Sequence, residues 1–337
     1  AQFLVSDCEA RGDLKPVCGL QAPEDLAVLP DQRHILLSQF GNMGDHPGSI
    51  GLFDTDTEST RILFPNQEPA SHTELWGDAA CATPPGSKFS PHGTHLHQLA
   101  DGRRRYLVIN HGAREAVEMF ALRGKGRTSN LQWRGCVIAP EDAMTNDVVG
   151  LADGSVIFTK MHAKEESFYF AKVMLGMNTG EVWRWDVNDG LKVLPETTAS
   201  LPNGLEISSD ERFLFINAYA NNEVRKYDLL AQRTVAVADV KSIDNSAWNS
   251  DGKLWVASHT GGMREIVACF KDPRKTCGLA FEIVAIEPEN MRAKTVFAHE
   301  GAPMGAATVA VRAGDAVYMG SFIGDRLLRA PVASFVE

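Results

Sequence analysis

Short apolar runs separated by polar turns recur along this chain with a constant phase. Each copy opens on a small or polar tip, runs into an apolar stretch, breaks at a turn, resumes as a second apolar stretch and ends on a third strand-like segment. Copies open at Glu24-Asp25-Leu26-Ala27-Val28, His92-Gly93-Thr94, Asn146-Asp147-Val148-Val149, Asn203-Gly204-Leu205-Glu206-Ile207, Asp244-Asn245-Ser246-Ala247-Trp248 and near Ala306-Ala307-Thr308-Val309. The turns include Asp101-Gly102, Asp153-Gly154, Asp210-Glu211, Asp251-Gly252 and Gly314-Asp315. Gly and Asp tolerate the positive φ that tight hairpin turns demand, so each turn joins two strands. The pattern predicts strands over 33–38, 48–53, 106–110, 116–122, 182–185, 213–216, 254–257, 316–320 and 326–329, with 33–38 as an inner strand of the first unit. Six copies of such a unit predict an all-β fold, a six-bladed β-propeller with four-stranded blades and ion sites in its central channel. Residues 20–337 form that single domain, and 1–19 serve as an N-terminal arm or closing segment.

Two excursions interrupt the rhythm. Residues 66–87 are rich in Pro, Gly and Ala and read as a functional or lid-like loop. Residues 161–179 carry Met and aromatic side chains, suiting either a short helix over one face or a core-packing insertion. Residues 272–278 read as a polar outer loop, and Arg103-Arg104-Arg105 as a solvated hairpin end.

Composition narrows the function classes. A net charge of −10 with no basic run or stacking module argues against a nucleic-acid partner. No apolar run is long enough to span a bilayer. None of the six cysteines stands in a CxxC pair, which argues against a thiolate zinc site. Cys8 with Cys18 and Cys269 with Cys277 each flank a short loop and suit disulfides, hence an oxidising compartment and a secreted or periplasmic location. The alternative is buried thiols in a cytoplasmic protein. The start at Ala1-Gln2-Phe3 reads as a processed or trimmed chain.

The tips carry the candidate chemistry. In a propeller, equivalent tips converge on one end of the channel although they lie far apart in sequence. Glu24, Asn146, Asn203, Asp244 and Asn245 then surround one axis. Calcium takes six to eight oxygen ligands, and this amide-rich set suits it better than zinc or magnesium. Asp25 and Asp147 are sequence neighbours of the first set and offer a second position deeper in the channel. Any one Asn-Gly or Asn-Asp is an ordinary turn former. Recurrence at one phase of successive repeats is what favours ions. His92 opens the second copy and His111 follows the next strand, so the pair suits a general base that activates water. His92, His95 and His97 also resemble a clustered zinc motif, a weaker alternative. There is no Gly-rich phosphate cradle and no G-x-S-x-G elbow.

At these residues the chain resembles the paraoxonase/arylesterase family, within the gluconolactonase-like calcium-dependent six-bladed propellers. The resemblance spans roughly residues 20–331 and rests on Phe89-Ser90-Pro91-His92-Gly93, Val108-Ile109-Asn110-His111, Thr145-Asn146-Asp147-Val148, Leu201-Pro202-Asn203-Gly204 and Ile243-Asp244-Asn245-Ser246. It implies a catalytic calcium on Glu24, Asn146, Asn203, Asp244 and Asn245. It also implies a structural calcium on Asp25, Asp147 and the backbone carbonyl of Thr94, with His92 and His111 activating water. The implied activity is hydrolysis of lactones and aryl esters, sometimes phosphotriesters. The family's apolar N-terminal anchor and the disulfide joining its chain ends do not carry over.

The expectation is therefore a calcium-dependent hydrolase acting on a small-molecule lactone or ester. The alternatives are an isomerase or lyase using the same metal and base, and a non-catalytic ligand-binding propeller. Oligomeric state and the particular substrate stay open.

Overall fold

The protein is described by a computed structural model over residues 3–66 and 74–336. The chain lays down six sheets in succession, each built on four antiparallel strands. The first is made of Pro23–Val28, His34–Gln39, Ser49–Asp54 and Ser59–Phe64. The first strands of the other five are Pro91–Gln98, Ala143–Gly150, Pro202–Ile207, Ile243–Trp248 and Ala307–Ala313. Each of these six first strands packs against the first strands of both neighbouring sheets, which closes a ring around a channel. The fold is a six-bladed β-propeller. The copy-opening residues lie on the innermost strands, so 33–38, expected as an inner strand, is the second strand of its blade.

The apolar runs are buried between blades. One cluster joins Leu36, Leu52 and Leu63 of the first blade to Tyr106, Phe120 and Trp133 of the second. Equivalent clusters fill every later junction, and the last returns Val309, Val311 and Tyr318 to Leu26, Ile35 and Phe53. Second strands such as Phe213–Ala218 and Leu254–His259 are therefore buried on both faces and read as near-continuous apolar runs, whereas third strands such as Glu181–Asp186 and Glu223–Asp228 mix polar and apolar positions. Burying one such Leu or Phe is worth about 1.5–3 kcal/mol, and with blades packed in a closed ring no sheet face is left uncovered.

Ring closure uses the N-terminal arm. Lys15–Val17 pairs antiparallel with Leu327–Pro331 as the outermost strand of the sixth blade. Leu4–Val5 pairs with Thr276–Cys277. This corrects the reading of 272–278 as a polar outer loop, because Thr276 and Cys277 are buried under the arm. Disulfides join Cys8 to Cys18 and Cys269 to Cys277 as expected. A third, Cys81–Cys136, was not anticipated, and no cysteine is left free.

The hairpin turns after the innermost strands define a floor, and the strand starts define a mouth. At the floor Gly102, Gly154, Gly252, Gly314 and Glu211 all adopt positive φ, as the turn chemistry requires. The segment 161–179 joins the second and third strands of blade three and so emerges at the mouth. It holds the helix α1, Tyr169–Met174, and its Phe168 and Leu175 are 74% and 76% exposed rather than packed in the core. The loop 66–87 is not a lid in its described part. Trp76–Gly77 adds a fifth, edge strand to blade two, beside Gly135 and Cys136, and Cys81 is bonded there; residues 67–73 of this loop lie outside the described residues. Among the described residues no helix is long and apolar enough to cross a membrane.

Candidate functional site

Every innermost strand is irregular at its mouth end. Pro23 pairs with Gln39 and Asp25 with Ser38, which leaves Glu24 unpaired. In blades two to five the pairing skips two residues against one: His92-Gly93, Asn146-Asp147, Asn203-Gly204 and Asp244-Asn245. Thr308 is skipped in the sixth blade. A β-bulge leaves residues out of the ladder and re-aims their side chains. These bulges turn consecutive residues, which regular alternation would send to opposite faces, toward one channel.

Polar side chains from neighbouring blades hold the bulges. Thr159 of blade three accepts from the Asp147 amide at 3.1 Å and donates to the Asn203 carbonyl of blade four at 2.7 Å. Asn217 of blade four donates to the Asp244 carbonyl of blade five at 2.7 Å. His259 of blade five reaches the Ala307 carbonyl at 2.9 Å, and Thr308 donates to the Glu24 carbonyl at 2.6 Å. Tyr219 bonds the other ring nitrogen of His259 at 2.9 Å, and burial lowers the pKa of this histidine to about 4. His259 is thus a neutral tie between blades. Gly93 and Gly204 have no space for a Cβ, because the bulges of the next blade press against them.

The outer set is Glu24, Asn146, Asn203, Asp244 and Asn245, all buried. Asn245 Nδ2 donates to Glu24 Oε1 at 2.9 Å. Four buried oxygens of this set, Glu24 Oε2, Asn146 Oδ1, Asn203 Oδ1 and Asn245 Oδ1, have no hydrogen-bond partner. Unpartnered buried oxygens are rare and costly, and four on the innermost strands of blades one, three, four and five suit a hard cation. Burial pushes the Asp244 carboxyl well above its ordinary range, and the charges of Glu24 and Asp25 add to this. A divalent cation would offset that repulsion, so the residues fit calcium.

One residue deeper stand Asp25 and Asp147. Their oxygens are partnered: Asp25 accepts from the Thr94 amide at 2.7 Å, the Thr94 hydroxyl at 2.9 Å and the Leu26 amide at 3.0 Å. Asp147 accepts from the amides of Val148 and Leu205, both at 2.8 Å. Burial raises both carboxyls well above their usual pKa, with Glu24 adding to Asp25 and Asp25 adding to Asp147.

The histidine pair meets beside the outer set. His92 Nδ1 lies 2.9 Å from His111 Nε2, and His92 Nε2 lies 3.4 Å from Glu24 Oε1. The next member, Glu115, carries no motif that sequence reasoning could find. Glu115 Oε1 is 2.6 Å from His111 Nδ1 and also accepts from the Thr145 amide and hydroxyl. The carboxylate sets the tautomers. His111 donates from Nδ1 to Glu115, so its Nε2 accepts from His92 Nδ1, and His92 Nε2 is left with a free lone pair. Burial lowers the pKa of His111, opposed by Glu115, so the ring is neutral at rest. Burial alone would raise Glu115, but His111 and Thr145 hold it below the usual carboxylate range. Lys164, from the 161–179 excursion, stands 3.6 Å from Glu115 Oε2, and Met161 Sδ takes a hydrogen bond from Asn146 Nδ2 at 3.5 Å.

The zinc alternative fails on geometry. His95 and His97 do share a face, stacked at 5.4 Å, but each ring already uses an acceptor nitrogen. His95 Nδ1 takes the Gly150 amide at 3.0 Å, and His97 Nε2 takes Arg105 Nε at 2.8 Å. Arg105 is buried, contrary to the solvated hairpin expected for 103–105. Among the described residues no three His, Cys, Asp or Glu side chains are grouped to hold a metal without the amides.

The arylesterase family profile matches residues 21–329. The chain belongs to the arylesterase family. It is 26% identical over 320 residues to serum paraoxonase/arylesterase 1 of Rattus norvegicus, covering 91% of this chain and 84% of the relative. Among solved structures it resembles a gluconolactonase from Xanthomonas campestris, at 16% identity and TM-score 0.53, over 94% of this chain and 89% of that one. It also resembles regucalcin, a calcium-binding protein of Agrobacterium tumefaciens, at 12% identity and TM-score 0.53, over 93% and 91%. These two likenesses carry the propeller fold.

Proposed function

We propose that this arylesterase-family chain is a calcium-dependent hydrolase of lactones or aryl esters, with one cation on the outer set and one on the inner pair. The observation that carries the reading is the placement of four unpartnered oxygens beside a His92–His111–Glu115 relay. The chemistry calcium supplies there when bound is polarisation of the substrate carbonyl and stabilisation of its developing negative charge. His92 Nε2 takes a proton from a water whose oxygen forms the new bond to the carbonyl carbon. The imidazolium is stabilised by Glu24 Oε1 at 3.4 Å, and its Nδ1 proton is shared with His111, whose own proton is held by Glu115. When the acyl–oxygen bond breaks, the same Nε2 proton passes to the departing alkoxide or phenoxide, and His92 returns neutral. Phe40, packed 4.5 Å from the His92 ring, helps fix the orientation of that ring.

The test is a panel of lactones and aryl esters hydrolysed by purified protein with calcium, after chelation and after calcium is restored. Activity lost on chelation and regained on restoration supports the reading. Hydrolysis that persists unchanged in chelator, or a folded calcium-loaded protein that hydrolyses nothing on the panel, sinks it. Three disulfides among the described residues support an oxidising compartment, hence a secreted or periplasmic protein.

A further inference from the structure

Below the inner pair the channel widens into a chamber of about 630 Å³ that ends at the floor hairpins. Its walls include Asp25, Asp147 and Thr94, the whole inner set, and none of the outer five. Gln32, Trp248 and Ser250 line it at the floor and are exposed, so the chamber meets solvent there. The inner carboxylates therefore face water from the side opposite the catalytic mouth.

The chamber wall carries both signs: Arg312 lines it at the floor, its Nε donating to the Gly314 carbonyl at 3.2 Å, and carboxyl groups line it further in. Glu206 projects into it from the fourth innermost strand, and its side chain is largely buried. No Lys or Arg among the described residues forms an ion pair with Glu206, Asp25 or Asp147; the sole basic side chain paired with any of them is His95, whose Nε2 is 3.9 Å from Glu206 Oε2. Because His95 Nδ1 accepts the Gly150 amide, Nε2 carries the hydrogen. His95 thus has no lone pair left for a metal, and at 3.9 Å its Nε2 makes no hydrogen bond to Glu206. On the same wall, just past the innermost strand of blade five, the buried Asn249 Oδ1 has no partner. Burial raises the Glu206 carboxyl to about 8, and Glu206 with the free amide oxygen of Asn249 offers a cation oxygen ligands between the floor and the inner pair.

We propose that this chamber is a cation vestibule through which the inner site loads and exchanges, with Glu206 as its relay carboxylate. The two cation positions then exchange through opposite ends of the channel. The mouth route to Asp25 and Asp147 runs past the outer set, one strand residue or about 3.3 Å away, and is closed while a cation sits there. This rests on the calcium reading given above.

The experiment follows uptake of radioactive calcium by calcium-loaded protein, separated by rapid gel filtration. Two bound calcium ions exchange in a fast and a slow phase, the slow one belonging to the inner site. Glu206→Lys slows the slow phase by about tenfold or more and leaves the fast phase unchanged. Glu206→Gln, which keeps the shape and packing, slows it by about threefold and carries the test if the lysine variant does not fold. Ser209→Lys adds the same charge to the floor outside the chamber and leaves both phases as they were. A slow phase unchanged in the Glu206 variants overturns the vestibule while the calcium reading stands. Folded protein that takes up no label overturns the calcium reading itself, and the vestibule with it.

Discussion

The outer and inner oxygen sets sit one residue apart on the same strands, yet they are satisfied in opposite ways. Asp25 and Asp147 each spend one oxygen on the next amide of their own strand, Leu26 and Val148, and the other on an amide of the neighbouring blade, Thr94 and Leu205. Glu24, Asn146, Asn203 and Asn245 each keep a buried oxygen with no partner. The inner carboxylates bind blades together whether or not a cation is present, so they belong to the fold. The outer oxygens contribute little to the fold and leave room for a ligand to change, which is what the proposed chemistry requires. A site that must accept and release substrate needs oxygens that the scaffold has not already consumed.

Substitutions can break that contrast. Asn203→Ala should lower kcat/KM by about 10²–10³-fold, while its denaturation midpoint in chelator stays within about 0.5 kcal/mol of the parent. A large stability loss there would make the outer set structural. Asp147→Ala removes the acceptor of two buried amides and should cost about 2–4 kcal/mol in a calcium-containing urea titration. The folded fraction should lose less kcat than Asn203→Ala does; an equal or larger loss would erase the distinction between the sets.

Glu115→Gln probes the relay that serves the outer set. It should lower kcat about 10–100-fold with little change in KM, as expected for a group acting through another. The carboxylate favours the His111 imidazolium, so its removal lowers the His111 pKa further. The acid limb of the kcat profile should therefore move to lower pH, and a limb that stays in place would reduce Glu115 to a packing group. The smallest effect is expected at Thr159→Val, which cuts the tie between the Asp147 amide and the Asn203 carbonyl. Thermal unfolding should show a loss of about 1–2 kcal/mol, together with a modest rise in KM because both sets shift. A neutral result would mean that the bulges hold without cross-blade ties.

Some features of the fold and site are legible in the sequence because they are local. The floor turns follow from Asp-Gly chemistry, and two disulfides from cysteines eight and ten residues apart. The ring positions of Glu24, Asn146, Asn203 and Asp244 follow from one phase repeated. Other features are hidden because their partners are distant. Cys81 and Cys136 lie 55 residues apart, and the last blade is completed by Lys15–Val17 from the other end of the chain. Glu115 carries no repeat signal. It reaches His111 because the short reversal between two strands of blade two folds it back.

What the sequence by itself determined is the repeating unit, hence six blades around an axis, and the chemical character of the residues at each tip. What the tertiary structure decided is how those tips divide. Strand periodicity sends neighbours such as Asn146 and Asp147 to opposite faces, and by that rule they could not share a channel. The bulges overrule it, and they are held by hydroxyls, amides and carbonyls on adjoining blades. Those hydrogen bonds exist only once neighbouring blades have packed, so which tip oxygens the scaffold consumes and which it leaves unpartnered is decided between blades, although the two sets themselves could be read from adjacent positions in the sequence.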